Sequence, residues 1–222
     1  MKQKQYMILE EYDQLKSLSD PLRCRIVSLL IAKSYTGQQL SQELDIPRAK
    51  IHYHLNELEK NGLIAVVKNE VKNGIIQKFY RSLARGFIPA AHLLPNSEEV
   101  GDFFRESTIH ALERARMRAI SAPERAFMME TEDRDSWTRM TAQIQLRVSE
   151  EHIKEFYKKF RALVDDMHVN ELKEDDPNGR WYYLITSGFE IEEPWFDSKD
   201  LEEESMTRSP DAEEDQKARK EI

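Results

Sequence analysis

The amino-acid sequence predicts an α+β protein: a helical N-terminal half closed by a β-hairpin, a long helix, a small α/β unit and an acidic tail. Three observations carry this. Apolar residues recur at helical spacing through most of residues 6–60. Two β-rich runs, Ile64-Ala65-Val66-Val67-Lys68 and Ile75-Ile76-Gln77-Lys78-Phe79-Tyr80, flank Lys72-Asn73-Gly74. Asn-Gly favours a tight hairpin because both residues tolerate positive φ. Beyond residue 97, a long helical pattern precedes segments that alternate like strands.

Residues 6–18 read as a first helix, with Tyr12, Leu15 and Leu18 on one stripe. Ser19-Asp20-Pro21 restarts the chain, since a capping residue followed by proline at the first helical position is a helix start. Leu22, Ile26, Leu29 and Leu30 continue that helix inward. Thr36 opens the next helix, whose Leu40 and Leu44 face the core. Asp45-Ile46-Pro47 breaks it, because the residue before proline is pushed out of helical geometry. The following helix spans residues 47–60 and stops at Asn61-Gly62, a C-terminal cap. Helix, tight turn, helix and hairpin in this order make a winged helix-turn-helix, expected over residues 6–88.

Pro89 and Pro95 bracket a connector, and a helix from 98 to about 120 follows, with Val100, Phe103, Phe104, Ser107, Ala111 and Leu112 on its apolar side. Residues 89–124 are thus read as connector and dimerisation helix, ended by Pro123. A small α/β domain is expected over 125–191. Residues 142–148 alternate strictly, as a half-buried strand does. Ser149 then caps a helix with the stripe Ile153, Phe156, Tyr157, Phe160, Leu163, Val164 and Met167. Asp176-Pro177-Asn178-Gly179 turns the chain into a second strand over 181–186. Residues 192–222 are acidic and poor in apolar side chains, and are expected to be disordered.

Charge is segregated along this layout. The whole chain carries −8, which alone disfavours nucleic acid. Residues 1–95, however, hold 14 Lys/Arg against 9 Asp/Glu, while 96–189 hold 14 against 19 and 190–222 hold 5 against 13. The positive excess therefore coincides with the helix-turn-helix pattern, as a phosphate-binding surface requires. No apolar run approaches the roughly 20 residues needed to cross a bilayer, so no membrane role is expected. The start, Met1-Lys2-Gln3-Lys4-Gln5, lacks a signal peptide's apolar core. The single cysteine, Cys24, excludes an intramolecular disulfide and fits a reducing, cytoplasmic setting.

Ser19-Asp20-Pro21-Leu22-Arg23-Cys24-Arg25-Ile26-Val27, joined to Ile51-His52-Tyr53-His54-Leu55, Leu58 and Gly62-Leu63-Ile64, resembles the ArsR family of bacterial and archaeal winged-helix repressors. The resemblance covers roughly residues 8–85. It implies a dimeric, site-specific DNA-binding regulator whose second helix reads the major groove, closer to members with an added C-terminal domain than to the short metal sensors. Those sensors place Cys-x-Cys in the helix matching residues 36–44. Here that helix reads Thr36-Gly37-Gln38-Gln39-Leu40-Ser41-Gln42-Glu43-Leu44, without thiolate or imidazole. A soft-metal site needs several such ligands, so metal sensing there is not expected.

At 100° per residue, Ile51, Leu55 and Leu58 share one face of helix 47–60, and Ala49, His52, Tyr53 and Asn56 share the other, with Arg48 and Lys50 near its start. Small, hydrogen-bonding and cationic groups suit a groove about 12 Å wide. The expected DNA contacts are Arg48, Ala49, Lys50, His52 and Tyr53 on this helix, and Gln38 and Gln39 on the preceding one, holding phosphate. Lys68, Lys72, Asn73 and Lys78 on the wing complete the set, as backbone or minor-groove contacts or as plain surface. His54 reads as a packed, hydrogen-bonded histidine rather than a DNA contact, and Cys24 as a small buried or half-buried filler rather than a redox sensor. Phe103, Phe104, Ile109 and Leu112 are the expected dimer contacts. Trp137, Phe156, Tyr157, Phe160, Trp181 and Tyr183 form the interior of the C-terminal unit or line an effector pocket there.

The six histidines lack ligand spacing, and the sequence holds no nucleophile elbow, phosphate-binding loop or dinucleotide fingerprint. No catalytic residue, metal or cofactor is therefore called for. The expected function is a homodimeric, sequence-specific transcriptional repressor bound to double-stranded DNA, with an effector or protein partner acting at the C-terminal domain. The competing expectation is a protein-interaction adaptor built on a winged helix, since residues 1–189 carry 28 positive and 28 negative side chains.

Overall fold

The computed structural model describes residues 2–72, 75–128 and 131–195, the side chains of Lys72, Ile75 and Arg134 aside. Helices and sheet are mixed, and the chain divides into two units, Met1–Pro123 and Glu124–Ile222.

In the first unit, β1 (Lys4–Leu9) leads into α1 (Tyr12–Ser19) and α2 (Pro21–Ala32). Asp20 caps α2 by accepting the Arg23 N–H at 2.8 Å, with Pro21 in the first turn. β2 (Tyr35–Thr36) then enters α3 (Gly37–Leu44). Thr36 and Gln39 form a reciprocal capping box: Gln39 N–H donates to Thr36 Oγ1 at 3.2 Å, and Thr36 N–H to Gln39 Oε1 at 2.8 Å. Asp45, at φ 53°, ends α3 in left-handed geometry, and α4 (Arg48–Lys60) begins after Pro47. Gly62, at φ 65°, closes α4: Leu63 N–H reaches Leu58 C=O at 2.9 Å and Gly62 N–H reaches Glu59 C=O at 3.0 Å. This paired cap needs a residue without a Cβ penalty.

β3 (Ile64–Lys72) and β4 (Ile75–Ser82) form the wing, longer than the sequence suggested. With β2 they make an antiparallel sheet of order β2-β4-β3. A register shift between Val66 and Lys68 puts Val66 opposite the buried Tyr80 but Lys68 opposite Phe79, and so inserts the extra residue of a β-bulge. The expected Asn73-Gly74 turn lies outside the described residues.

The first helix is a correction. Tyr6–Leu9 belong not to a helix over 6–18 but to β1, which pairs in parallel with β5 (Ala84–Pro89), Tyr6 opposite Gly86 and Ile8 opposite Ile88. The Tyr6 ring lies over Gly86, where an added Cβ would meet it at 2.8 Å. Helical spacing starts only at Tyr12, and the strand's partner lies 80 positions away, beyond the reach of any local pattern.

Leu15, Leu18, Ile26, Leu30, Leu40, Ile51, Leu55, Leu58, Leu63 and Ile64 form a core closed to solvent. Burying such side chains contributes about 1.5–3 kcal/mol each. α5 (Ser97–Ser121) packs on α1 and α2 and lies with them in the first unit. Its inward face is Phe103, Ser107, His110 and Arg114. Arg114 Nη1 donates to Ser28 Oγ at 2.6 Å, and Ser107 hydrogen-bonds Cys24. Phe104 and Leu112, expected on the apolar side, are 50% and 44% exposed.

The second unit holds α6 (Glu150–Val169), capped by Ser149 as expected. Residues 142–148 and 181–186 form no strand. Their alternation defines a face, but a strand also needs a neighbour to take its N–H and C=O groups, and neither segment has one among the described residues. The anticipated aromatic interior is also absent there: Phe156, Trp181 and Tyr183 are exposed, and Trp137, Tyr157 and Phe160 are only half-buried. Gly188 passes close to the Tyr157 hydroxyl, and Trp195 N–H donates to Gln145 Oε1 at 2.7 Å. The tail expected to be disordered lies outside the described residues from 196 onward.

Candidate nucleic-acid interface

α4 divides as its sequence dictates. Ile51, Leu55 and Leu58 are fully buried, and His54 joins them at 6% exposure. Burial pushes the His54 imidazole below its ordinary pKa, and its Nδ1 is buried without the hydrogen-bond partner expected of a packed histidine. The opposite face carries Arg48, Ala49, Lys50, Tyr53 and Asn56 in solvent, with His52 half-buried at its edge. Arg48 Nε donates to His52 Nε2 at 3.3 Å, which puts the proton of a neutral ring on Nδ1.

The start of α3 sits against this face. A Cβ on Gly37 would come within 3.0 Å of His52 Cε1 and Nε2, so glycine is what lets α3 approach the His52 ring. Gln38 and Gln39 are exposed beside it. Gln39 is not simply loose surface: the capping box engages its backbone N–H and side-chain oxygen, leaving the NH₂ end to donate. On the wing, Lys68 and Lys78 are exposed. Lys68 pairs with Glu70 and lies 5.5 Å from the Phe79 ring centre. Asn73 falls outside the described residues, as does the side chain of Lys72.

Of the four residues expected at a dimer contact, Phe104, Ile109 and Leu112 project into solvent from α5. Phe103 is corrected: at 2% exposure it is a core residue of the first unit, because α5 turns that side onto α1 and α2. Cys24 is buried as expected of a filler. Desolvation pushes its thiol up to about 11, against the opposing Ser107 hydrogen bond. Among the described residues no cluster of His, Cys, Asp and Glu is placed to hold a metal, and no helix is long and apolar enough to cross a membrane.

Two features escaped the sequence reading. One is the Gly37–His52 contact, which joins residues 15 apart. The other is a donor-lined hollow beside α3, signalled only by the Thr-x-x-Gln capping pattern at 36–39.

A family model described as a helix-turn-helix domain matches residues 18–67, from the end of α1 into β3. No curated protein matches the chain. Among solved structures, reduced HlyU from Vibrio cholerae is similar at 16% identity, covering 50% of this chain and 87% of that one, with a TM-score of 0.29. The heme sensor protein PefR from Streptococcus agalactiae, solved with heme, shares 16% identity over 70% of this chain and 78% of its own, at 0.28. Lactococcus lactis ZitR, a C30AH42A mutant in apo form, shares 13% over 68% and 85%, at 0.25.

Proposed function

We propose that this chain is a homodimeric, sequence-specific DNA-binding transcription regulator of the ArsR type, acting in the cytoplasm as a repressor. The helix-turn-helix domain over residues 18–67 supports a DNA-binding regulator, a function that calls for no enzyme chemistry. The observation that carries the reading is the outward face of α4, where Arg48, Lys50 and Tyr53 stand in solvent while the opposite face is locked in the core. α3 braces this helix through Gly37, α4 reads base edges with Arg48, Ala49, Lys50, His52 and Tyr53, and Gln38 and Gln39 hold phosphate. Lys68, Lys72, Asn73 and Lys78 of the wing grip the backbone, adding affinity without sequence readout.

Phe104, Ile109 and Leu112 on α5 join two copies, so that paired α4 helices reach half-sites about one helical turn apart. A signal received at the second unit changes the separation of the two reading helices and so the affinity for the operator. Selection of bound duplexes from a random library tests this directly. The expected result is a two-fold symmetric site that blocks transcription when placed in a promoter. Absence of retardation of any duplex at low salt would overturn DNA binding and leave the adaptor reading.

A further inference from the structure

Where α2 ends and α3 begins, the surface dips into an open hollow of about 400 Å³, lined by Lys33, Ser34, Tyr35, Gln39, Gln42 and Glu43. Five of these six bring hydrogen-bond donors: an ammonium, two hydroxyls and two carboxamides. Two of the donors are held in place. Lys33 Nζ lies 4.7 Å from the centre of the Tyr35 ring, and that ring is buried, so the cation rests on a fixed platform. The Gln39 oxygen is engaged by the Thr36 N–H, which fixes the carboxamide and presents its NH₂ as the donor end.

Lining residues and their chain neighbours tie the hollow to the proposed reading surface at two points. Gly37, next in the chain, abuts His52 of α4. Tyr35 and Thr36 form β2, which pairs with Tyr80 and Phe79 of the wing strand β4.

We propose that this hollow is a phosphodiester subsite, seating one backbone phosphate of the duplex whose major groove receives α4. The inference rests on the DNA-binding reading and extends it to Lys33 and Gln42, which that reading leaves unassigned. The charge balance selects the ligand. The Lys33 ammonium is opposed by the Glu43 carboxylate, so the lining disfavours the double charge of free phosphate more than the single charge of a diester, which the neutral donors hold. Glu43, one turn beyond Gln39 on α3, limits how far the phosphate slides along the helix.

The test is fluorescence anisotropy of the full chain on a selected and a random duplex across a salt series. Lys33→Ala is expected to weaken both duplexes alike, by about fivefold, and to shallow the plot of log affinity against log salt by about 0.9. Lys33→Arg restores the slope, and Glu43→Gln tightens both duplexes. A scan with single neutral methylphosphonate linkages then locates the contact. The wild type loses affinity at one linkage per half-site, where Lys33→Ala loses nothing further. An unchanged salt slope in Lys33→Ala, or identical linkage scans for variant and wild type, overturns the subsite while leaving DNA binding intact. Competition by inorganic phosphate beyond its ionic strength also overturns it, by making free phosphate the ligand. A wild type that binds no duplex overturns the DNA-binding reading and the subsite with it.

Discussion

Gly37→Ala separates stability from recognition. The new methyl would sit 3.0 Å from two ring atoms of His52 and 3.5 Å from Leu55 Cδ1. Non-bonded carbons relax at roughly 3.5–4.0 Å, so the Leu55 contact is ordinary and the imidazole must retreat by about half an ångström. The φ of Gly37 lies outside the left-handed region, so alanine is unstrained there and gains up to about 1 kcal/mol of helix preference. Against this stands an overpacking cost of similar size, kept small because the half-buried ring can swing toward solvent. Net stability is therefore expected to change by less than about 1 kcal/mol, moving Tm by no more than about 4 °C. The loss falls on the reading surface instead, because Arg48 is hydrogen-bonded to the displaced ring. A base-edge contact carries about 1–3 kcal/mol of discrimination, so the ratio of specific to random affinity should fall about 5- to 150-fold. Thermal melting and anisotropy on the two duplexes read both quantities. A normal Tm with an undiminished specificity ratio would remove His52 and Arg48 from the reading surface.

Four further outcomes follow from the same geometry. Arg48→Ala should relax sequence preference, whereas Lys78→Ala should weaken selected and random DNA equally and flatten the salt dependence; competition binding distinguishes them. At pH 8, Cys24 should alkylate at least about 100-fold more slowly than an ordinary thiol, because raising its pKa from 9.0 to about 11 lowers the thiolate fraction by that factor; timed iodoacetamide labelling checks this. Burial makes folded His54 bind its proton less readily than the unfolded chain does, so its contribution to stability is complete above the ordinary histidine value near 6.5 and is lost as pH falls from there through the lowered folded value. His54→Leu should flatten that part of the pH–stability curve from denaturant titrations and, by removing an unpartnered Nδ1, should not lower stability at pH 8. Ile109→Asp should shift sedimentation toward monomer without changing the Tm of the monomer, since Ile109 is 43% exposed in the protomer.

Elements whose cause is local were legible in the sequence. Asp20-Pro21, Thr36 and Asn61-Gly62 mark helix ends because caps satisfy backbone groups only a few residues away, and the α4 stripe shows which side meets the core. The wing was legible for the same reason. What escaped depends on remote partners. β1 is a strand because β5 lies beside it, and no window around Tyr6 contains that fact. α5 turns His110 and Arg114 inward beside the expected Phe103 and Ser107, because α2 offers Cys24 and Ser28 opposite, and a reading by hydrophobicity chose Phe104 and Leu112 in their place. In the second unit, the periodicity of 142–148 and 181–186 was real, but it reports which side chains share a face, not whether a neighbouring strand exists.

The pairing of β1 with β5 also orders events during synthesis. The first strand leaves the ribosome early, yet Ala84, the partner of Lys4, is made 80 residues later. At translation speeds of about 5–20 residues per second, β1 waits roughly 4–16 s without its mate. The helical centre can form in that interval, and the N-terminal strand locks on only afterwards, before α5 emerges to cover α1 and α2. Removing that strand should leave the emerging chain able to begin folding but unable to finish it.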